Sequence, residues 1–137
     1  MSSNPTRQVI DGYLEALLGR GDFAAFFAED VRWTTMETGE ELRGREQVRD
    51  FIAALHTQIF DARPEVRSIL AADGAACLEA DFVGTHIAEF AGIPATGAKV
   101  RVPYCVVYDV EGDQITALRG YLPLGVLVGQ LQADAKG

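Results

Sequence analysis

Apolar residues recur at helical spacing near the start of the chain. Val9, Ile10, Tyr13, Leu14, Leu17 and Leu18 fall on one side of a helix that Asn4 can cap and Pro5 can begin. Gly19 and Gly21 end it, and Gly12 weakens it by about 1 kcal/mol relative to alanine. Asp22 is placed to cap a short second helix, residues 23–28, carrying Phe23, Phe26 and Phe27. Residues 31–35 read as a short strand, and Gly39 and Gly44 bracket a polar loop. The clearest stripe is Val48, Phe51, Ile52, Leu55 and Ile59, spaced i, i+3, i+4, i+7, i+11, with Arg45, Glu46, Arg49 and Asp50 lying off it. Pro64 is expected to stop that helix.

Beyond Pro64 the period changes to two. Residues 66–70, 75–86, 99–110 and 115–122 are strand candidates. Asp73-Gly74 and Glu111-Gly112-Asp113 are hairpin turns, and residues 92–97 form a longer bend around Pro94. Residues 124–131 form a last apolar stretch, suited to a helical turn. Helices followed by an antiparallel meander predict an α+β domain that occupies residues 1–137 as a single unit. Four strands and three helices bury their apolar faces only if the sheet curves around a helix. Such a cone leaves an open end, a natural pocket for a small apolar molecule.

Composition narrows the partners. The chain has 137 residues, 48% apolar and 23% charged, and a net charge of −8. That acidity disfavours nucleic acid and anionic membranes, since phosphate binding needs a basic face. No apolar run reaches the roughly 20 residues of a membrane span, and the N-terminus lacks the pattern of a signal peptide. Cys77 and Cys105 make no CxxC spacing and no Cys/His cluster. The expectation is a cytoplasmic protein with no disulfide and no metal.

The segments Gly84-Thr85-His86 and Phe90-Ala91-Gly92-Ile93-Pro94-Ala95-Thr96-Gly97 resemble a signature of SnoaL-like polyketide cyclases. The 124–131 stretch, LGVLVGQL, is similar to the family's C-terminal ending, and TGEELRGREQV at 38–48 to its approach to the long helix. The resemblance spans residues 13–131. It implies the cone-shaped nuclear-transport-factor-2-like fold, shared with ketosteroid isomerases and limonene epoxide hydrolases.

The catalytic sets implied by the resemblance are broken. The cyclases' aspartate on the last strand falls on Gly120, and their partner histidine on Val106. The epoxide hydrolases' arginine and aspartate fall on Glu79 and Asp81, and their tyrosine and asparagine near Thr34 and Met36. The isomerases' general base falls near Thr34 or Thr35, and their protonated acid near Tyr104.

The chain still offers candidates for the site. On the strand around Tyr104 the more apolar set is Val102, Tyr104, Val106 and Tyr108, and the resemblance turns it inward. A buried phenol needs a partner, and here a ligand oxygen can supply one. Glu79 and Asp81, two apart, share one face of a strand. In the pocket, paired carboxylates against an apolar wall would raise a pKa and suit general acid/base work. The alternating Leu78, Ala80 and Phe82 favour instead a solvent-facing pair, whereas the family alignment favours the pocket. His86 is a further acid/base candidate near the mouth of the cone; His56 reads as a surface residue beside Leu55. Tyr13, Phe27, Trp33, Met36 and Phe51, with Leu118, Gly120 and Leu122 on the last strand, are expected to line the cavity. Gly120 is expected to enlarge it.

The resulting expectation is a cofactor-independent cyclase or isomerase for a hydrophobic, oxygenated, polyketide-like molecule. Asp81 would be the acid/base, with Tyr104 as donor. The alternatives are a non-catalytic binding protein of the same fold and an epoxide hydrolase. Cys105, Val107 and Tyr121 on the outer sheet face, with Arg119 also facing outward, predict a homodimer.

Overall fold

A computed structural model describes residues 5–136, with side chains to residue 132. Asn4, the expected helix cap, lies outside the described residues. Helix α1 spans Pro5–Leu18 and buries Val9, Ile10, Tyr13, Leu14 and Leu17. Gly19 and Gly21 send their amides back to the carbonyls of Glu15 and Ala16, ending it. A single 3-10 turn, Phe23–Phe26, comes next, and the Asp22 side chain makes no cap hydrogen bond to it. The chain then enters β1, Phe27–Thr35, earlier than expected. The polar stretch between Gly39 and Gly44 is itself a strand, β2, Glu40–Arg43. Its exposed, charged residues hide it from a hydrophobic pattern, as suits an edge strand.

Helix α2, Arg45–Ala53, widens into a π turn over Ala54–Gln58, closed by the Ile59 amide on the Ala54 carbonyl. Arg45 fixes its start by donating to the Phe27 carbonyl at 2.8 and 3.1 Å. Pro64 does not end this helix; it lies inside β3, Phe60–Ala72. Because β3 is the outer edge of the sheet, a missing N–H there costs no ladder bond.

Strands β4 (Ala75–His86), β5 (Lys99–Glu111) and β6 (Gln114–Tyr121) complete one six-stranded sheet in the order β2-β1-β6-β5-β4-β3. All neighbouring pairs are antiparallel except β1 with β6. The fold is α+β, with three helices on a curved, mostly antiparallel sheet. Among the described residues no helix is long and apolar enough to cross a membrane.

Two local features shape the sheet around its contents. At Gly84 a Cβ would stand 2.4 Å from the Ala62 Cβ and 2.5 Å from the Asp61 carbonyl, so β3 presses onto β4 where no side chain is possible. On the other side of β4, β5 outruns β6, whose pairing stops at Cys105 opposite Tyr121. The backbone of Arg101 is left without a strand neighbour there. Helix α3, Leu124–Lys136, covers it, with Gln130 accepting from the Arg101 amide at 3.1 Å and donating to its carbonyl at 3.0 Å. Leu127 and Leu131 join Phe60, Phe82, Val100 and Val102 in a second apolar cluster beneath it.

A side chain at Gly84 should force the β3–β4 crossing apart. Gly84→Val is expected to lose about 1–3 kcal/mol, typical of overpacking. Urea denaturation reads the change, and an unshifted midpoint would contradict the crossing.

Candidate functional site

The inner face of the sheet and the helices enclose an apolar cavity. Strand β5 contributes Val102, Tyr104, Val106 and Tyr108, every second residue, and β4 contributes Leu78 and Phe82. Tyr13 and Leu17 come from α1, Trp33 from β1 and Leu118 from β6. Leu122, Pro123 and the first turn of α3 close the remaining side. The space is about 60 Å³, room for a few waters at the roughly 10–15 Å³ each requires. A ligand the size of a fused ring system does not fit this space as it stands.

The polar atoms of this wall are few and mostly donors. Among the described residues the hydroxyls of Tyr13, Tyr104 and Tyr108 take no hydrogen-bond partner in the protein. All three phenols are pushed well above their ordinary pKa by burial. The neighbouring phenols add to this for Tyr13 and Tyr108, and the Asp81 charge adds to it for Tyr104. They therefore stay protonated and can donate to a ligand oxygen. The Trp33 indole N–H is already taken by the Thr35 hydroxyl at 2.8 Å.

His56 also lines the cavity, contrary to its reading as a surface residue. Its Nδ1 lies 2.8 Å from the Ile52 carbonyl. A carbonyl can only accept, so Nδ1 carries the proton and Nε2 the lone pair. Among the described residues that Nε2 has no partner, and no water-sized group reaches it from the cavity or from outside. Burial lowers the imidazole pKa, opposed by the Ile52 hydrogen bond and assisted by Arg20. The ring is thus a neutral acceptor, set edge-on against Phe82. A signal for it exists in the sequence, since His56 stands four residues after Ile52, at the margin of the apolar stripe. The π turn then brings it to the wall, and wide helical turns of this kind often mark functional positions.

Other expected site residues lie elsewhere. Asp81 and Glu79 point away from the cavity, because Leu78, Ala80 and Phe82 take the inner face of β4. Asp81 is nonetheless buried, its side chain 4% exposed between Arg67 at 2.9 Å and Arg101 at 2.8 Å. The Arg67 hydrogen bond, with that of Arg101, holds its carboxyl below the usual range against the opposing effect of burial. Such a group is a locked anion, unsuited to acid/base exchange at neutral pH.

Glu79 and Met36 border a more open groove that shares Tyr104, Leu122 and Pro123 with the cavity. Phe27 is buried in the core against Tyr13 and Phe23, and Phe51 packs behind Trp33. His86 is fully buried away from the cavity. Its Nδ1 accepts from the Thr96 amide at 3.2 Å and meets the Thr96 hydroxyl at 3.0 Å, pinning the bend after β4.

Gly120 does not enlarge the cavity. A Cβ there would lie 2.4 Å from the Trp33 ring, so the indole fills the space that a side chain would need. Six of the expected lining residues do meet on one wall: Tyr13, Trp33, Tyr104, Val106, Leu118 and Leu122. Among the described residues no cluster of His, Cys, Asp or Glu is gathered to hold a metal ion.

Comparison with known proteins agrees with this architecture. Residues 10–118 match the model of the SnoaL-like domain. The chain belongs to the SnoaL-like family. Among curated proteins no sequence match is found. Among solved structures, a proposed polyketide cyclase from Xanthomonas campestris pv. campestris is 24% identical with a TM-score of 0.81, covering 94% of this chain and 99% of its own. A proposed SnoaL-like polyketide cyclase from Jannaschia is 18% identical with a TM-score of 0.85, covering 97% and 96%. A protein of ketosteroid isomerase-like fold from Catenulispora acidiphila, in complex with trimethylamine, is 21% identical with a TM-score of 0.73, covering 93% and 94%.

In this SnoaL-like chain the buried carboxylate stabilises the sheet from outside. Asp81 has a depressed folded-state pKa, so its contribution is present above the unfolded carboxylate pKa and fades as pH falls through the folded one. Asp81→Asn is therefore expected to melt lower than wild type near neutral pH. The gap should narrow on acidification below the ordinary carboxylate range. Thermal melts across pH test this, and a gap independent of pH would remove the ion pair as its cause.

Proposed function

We propose that the cavity binds a small, mostly apolar, oxygen-bearing molecule and that the protein acts on it as a cofactor-independent cyclase or isomerase. One observation carries this reading. Three protonated phenols with no protein partner share the wall of a cavity otherwise nearly free of polar groups. Buried hydroxyls are normally paired, so their free donors suit a carbonyl or enolate oxygen. In such dry surroundings a preorganised O–H stabilises developing negative charge far better than water does. Tyr104 is the strongest candidate, lying midway along the inward row of β5. Asp81, locked in its arginine pair, is not assigned a proton-transfer role, and His86 is assigned to loop fixation. The epoxide-hydrolase alternative is disfavoured by Glu79 in place of the expected arginine and by Asp81 facing away from the cavity.

A second reading, a binding protein without turnover, is favoured by a specific feature. Among the described residues no carboxylate lines the cavity, and the place where relatives of the fold are expected to carry an aspartate is filled by Trp33 at Gly120. Turnover of small ketones followed by mass spectrometry separates the two readings. For either, cyclohexanone is expected to bind, and Tyr104→Phe should weaken it about tenfold through the lost hydrogen bond. Equal affinity in both proteins would dismiss Tyr104 as the donor.

We further propose that the protein is a homodimer through the outer sheet face. Leu70 and Tyr121 are exposed there, opposite Cys77 and Cys105 in the pairing, and both cysteines are free thiols, which fit a reducing cytoplasm. Sedimentation at micromolar concentration should give twice the chain mass; a monomer refutes the interface.

A further inference from the structure

We propose that Cys77 and Cys105 form a two-thiolate site for a soft monovalent ion of the class of Cu(I), on the face of the sheet turned away from the cavity. The strand register brings them together. Between β4 and β5, Cys77 stands opposite Val107, and Cys105 stands opposite Glu79. The two cysteines are therefore diagonal neighbours on one face. Leu78, Tyr104 and Val106 carry the other face into the cavity. Both thiols are free and partly exposed, and they are close enough to share a hydrogen bond.

The spacing favours a bridging ion over a disulfide. Diagonal partners have Cα atoms about 7–8 Å apart, whereas a disulfide usually holds them at about 4.4–6.8 Å. An ion places two metal–sulfur bonds of roughly 2.3 Å between the sulfurs, where a disulfide has one bond of about 2.05 Å. The donor count selects the ion. Among the described residues no group of three His, Cys, Asp or Glu is gathered for a metal. Zinc, which takes four ligands, would find only two here. Cu(I) prefers thiolates and is satisfied by two of them in a line.

The surroundings favour a cation. Glu79 lies directly across from Cys105 and two residues from Cys77, on the same face. Burial, the neighbouring Cys77 and the Glu79 charge all push the Cys105 thiol up. The last two make the spot unwelcoming to an unaccompanied thiolate and attractive to a positive ion. Loading is an exchange without electron transfer. Two S–H bonds break, two Cu–S bonds form, and two protons leave to solvent.

Anaerobic titration of the full chain with Cu(I), in competition with bicinchoninate, reads the affinity. The pair lies on the face proposed above for the dimer, so native mass spectrometry counts ions per chain in whatever assembly forms. One ion per chain is expected. Cys77→Ser and Cys105→Ser should each weaken uptake by about a hundredfold, at the upper end of what loss of a mere outer partner costs a metal site. X-ray absorption of the loaded wild type needs no variant and should show two sulfur neighbours. Zn(II) alone should not displace the copper. Uptake that survives either substitution, a third or fourth sulfur neighbour, or one ion shared by two chains overturns the site. So does the failure of the wild type to take copper from bicinchoninate. None of these outcomes bears on the cavity, whose reading stands or falls by its own ligands.

Discussion

A strand hands only every second side chain to a given face, and on β4 this alternation decides which groups the cavity receives. Leu78, Ala80 and Phe82 close the inner surface, so Glu79 and Asp81 must stand outside. The same alternation on β5 brings Tyr104 and Tyr108 inward and leaves Arg101 outward. A one-residue slip would exchange the two sets and place carboxylates in the cavity. Long antiparallel pairing on both sides of β4 holds the register, and with it the neutral, aromatic character of the interior.

The separation of charge acts on both sides of the sheet. Outside, Asp81 gains two guanidinium partners and stays ionised although nearly all its side chain is covered. Inside, burial and the nearby negative charge both favour the protonated phenol of Tyr104. Acid/base catalysis needs groups poised to exchange protons near neutral pH; here the phenols are held protonated and the His56 imidazole neutral.

Trp33 ties this interior together. Its ring edge fills the space at Gly120, its N–H is held by Thr35 and its ring packs tilted against Phe51. A carboxylate at position 120 and an indole at position 33 exclude each other sterically, so glycine there belongs to a different solution of the same fold. The glycine marks a filled volume, and the cavity is correspondingly narrow.

Sequence alone determined the order of the elements, the switch from helical to strand period and the family resemblance; the alternation of Leu78, Ala80 and Phe82 pointed to the outer side for Asp81, but the family alignment placed it in the pocket, and the sequence left the two open. These are local quantities, written in spacings of two to four residues. Other features depend on residues distant in the chain. The burial of Asp81 depends on arginines 14 and 20 residues away, and the loss of space at Gly120 on a tryptophan from another strand. The place of Pro64 inside a strand depends on β3 being an edge. His56 reached the cavity through a π turn that no propensity announces. Only the tertiary structure decided these, because each is fixed by which surfaces meet when the sheet closes over its helices.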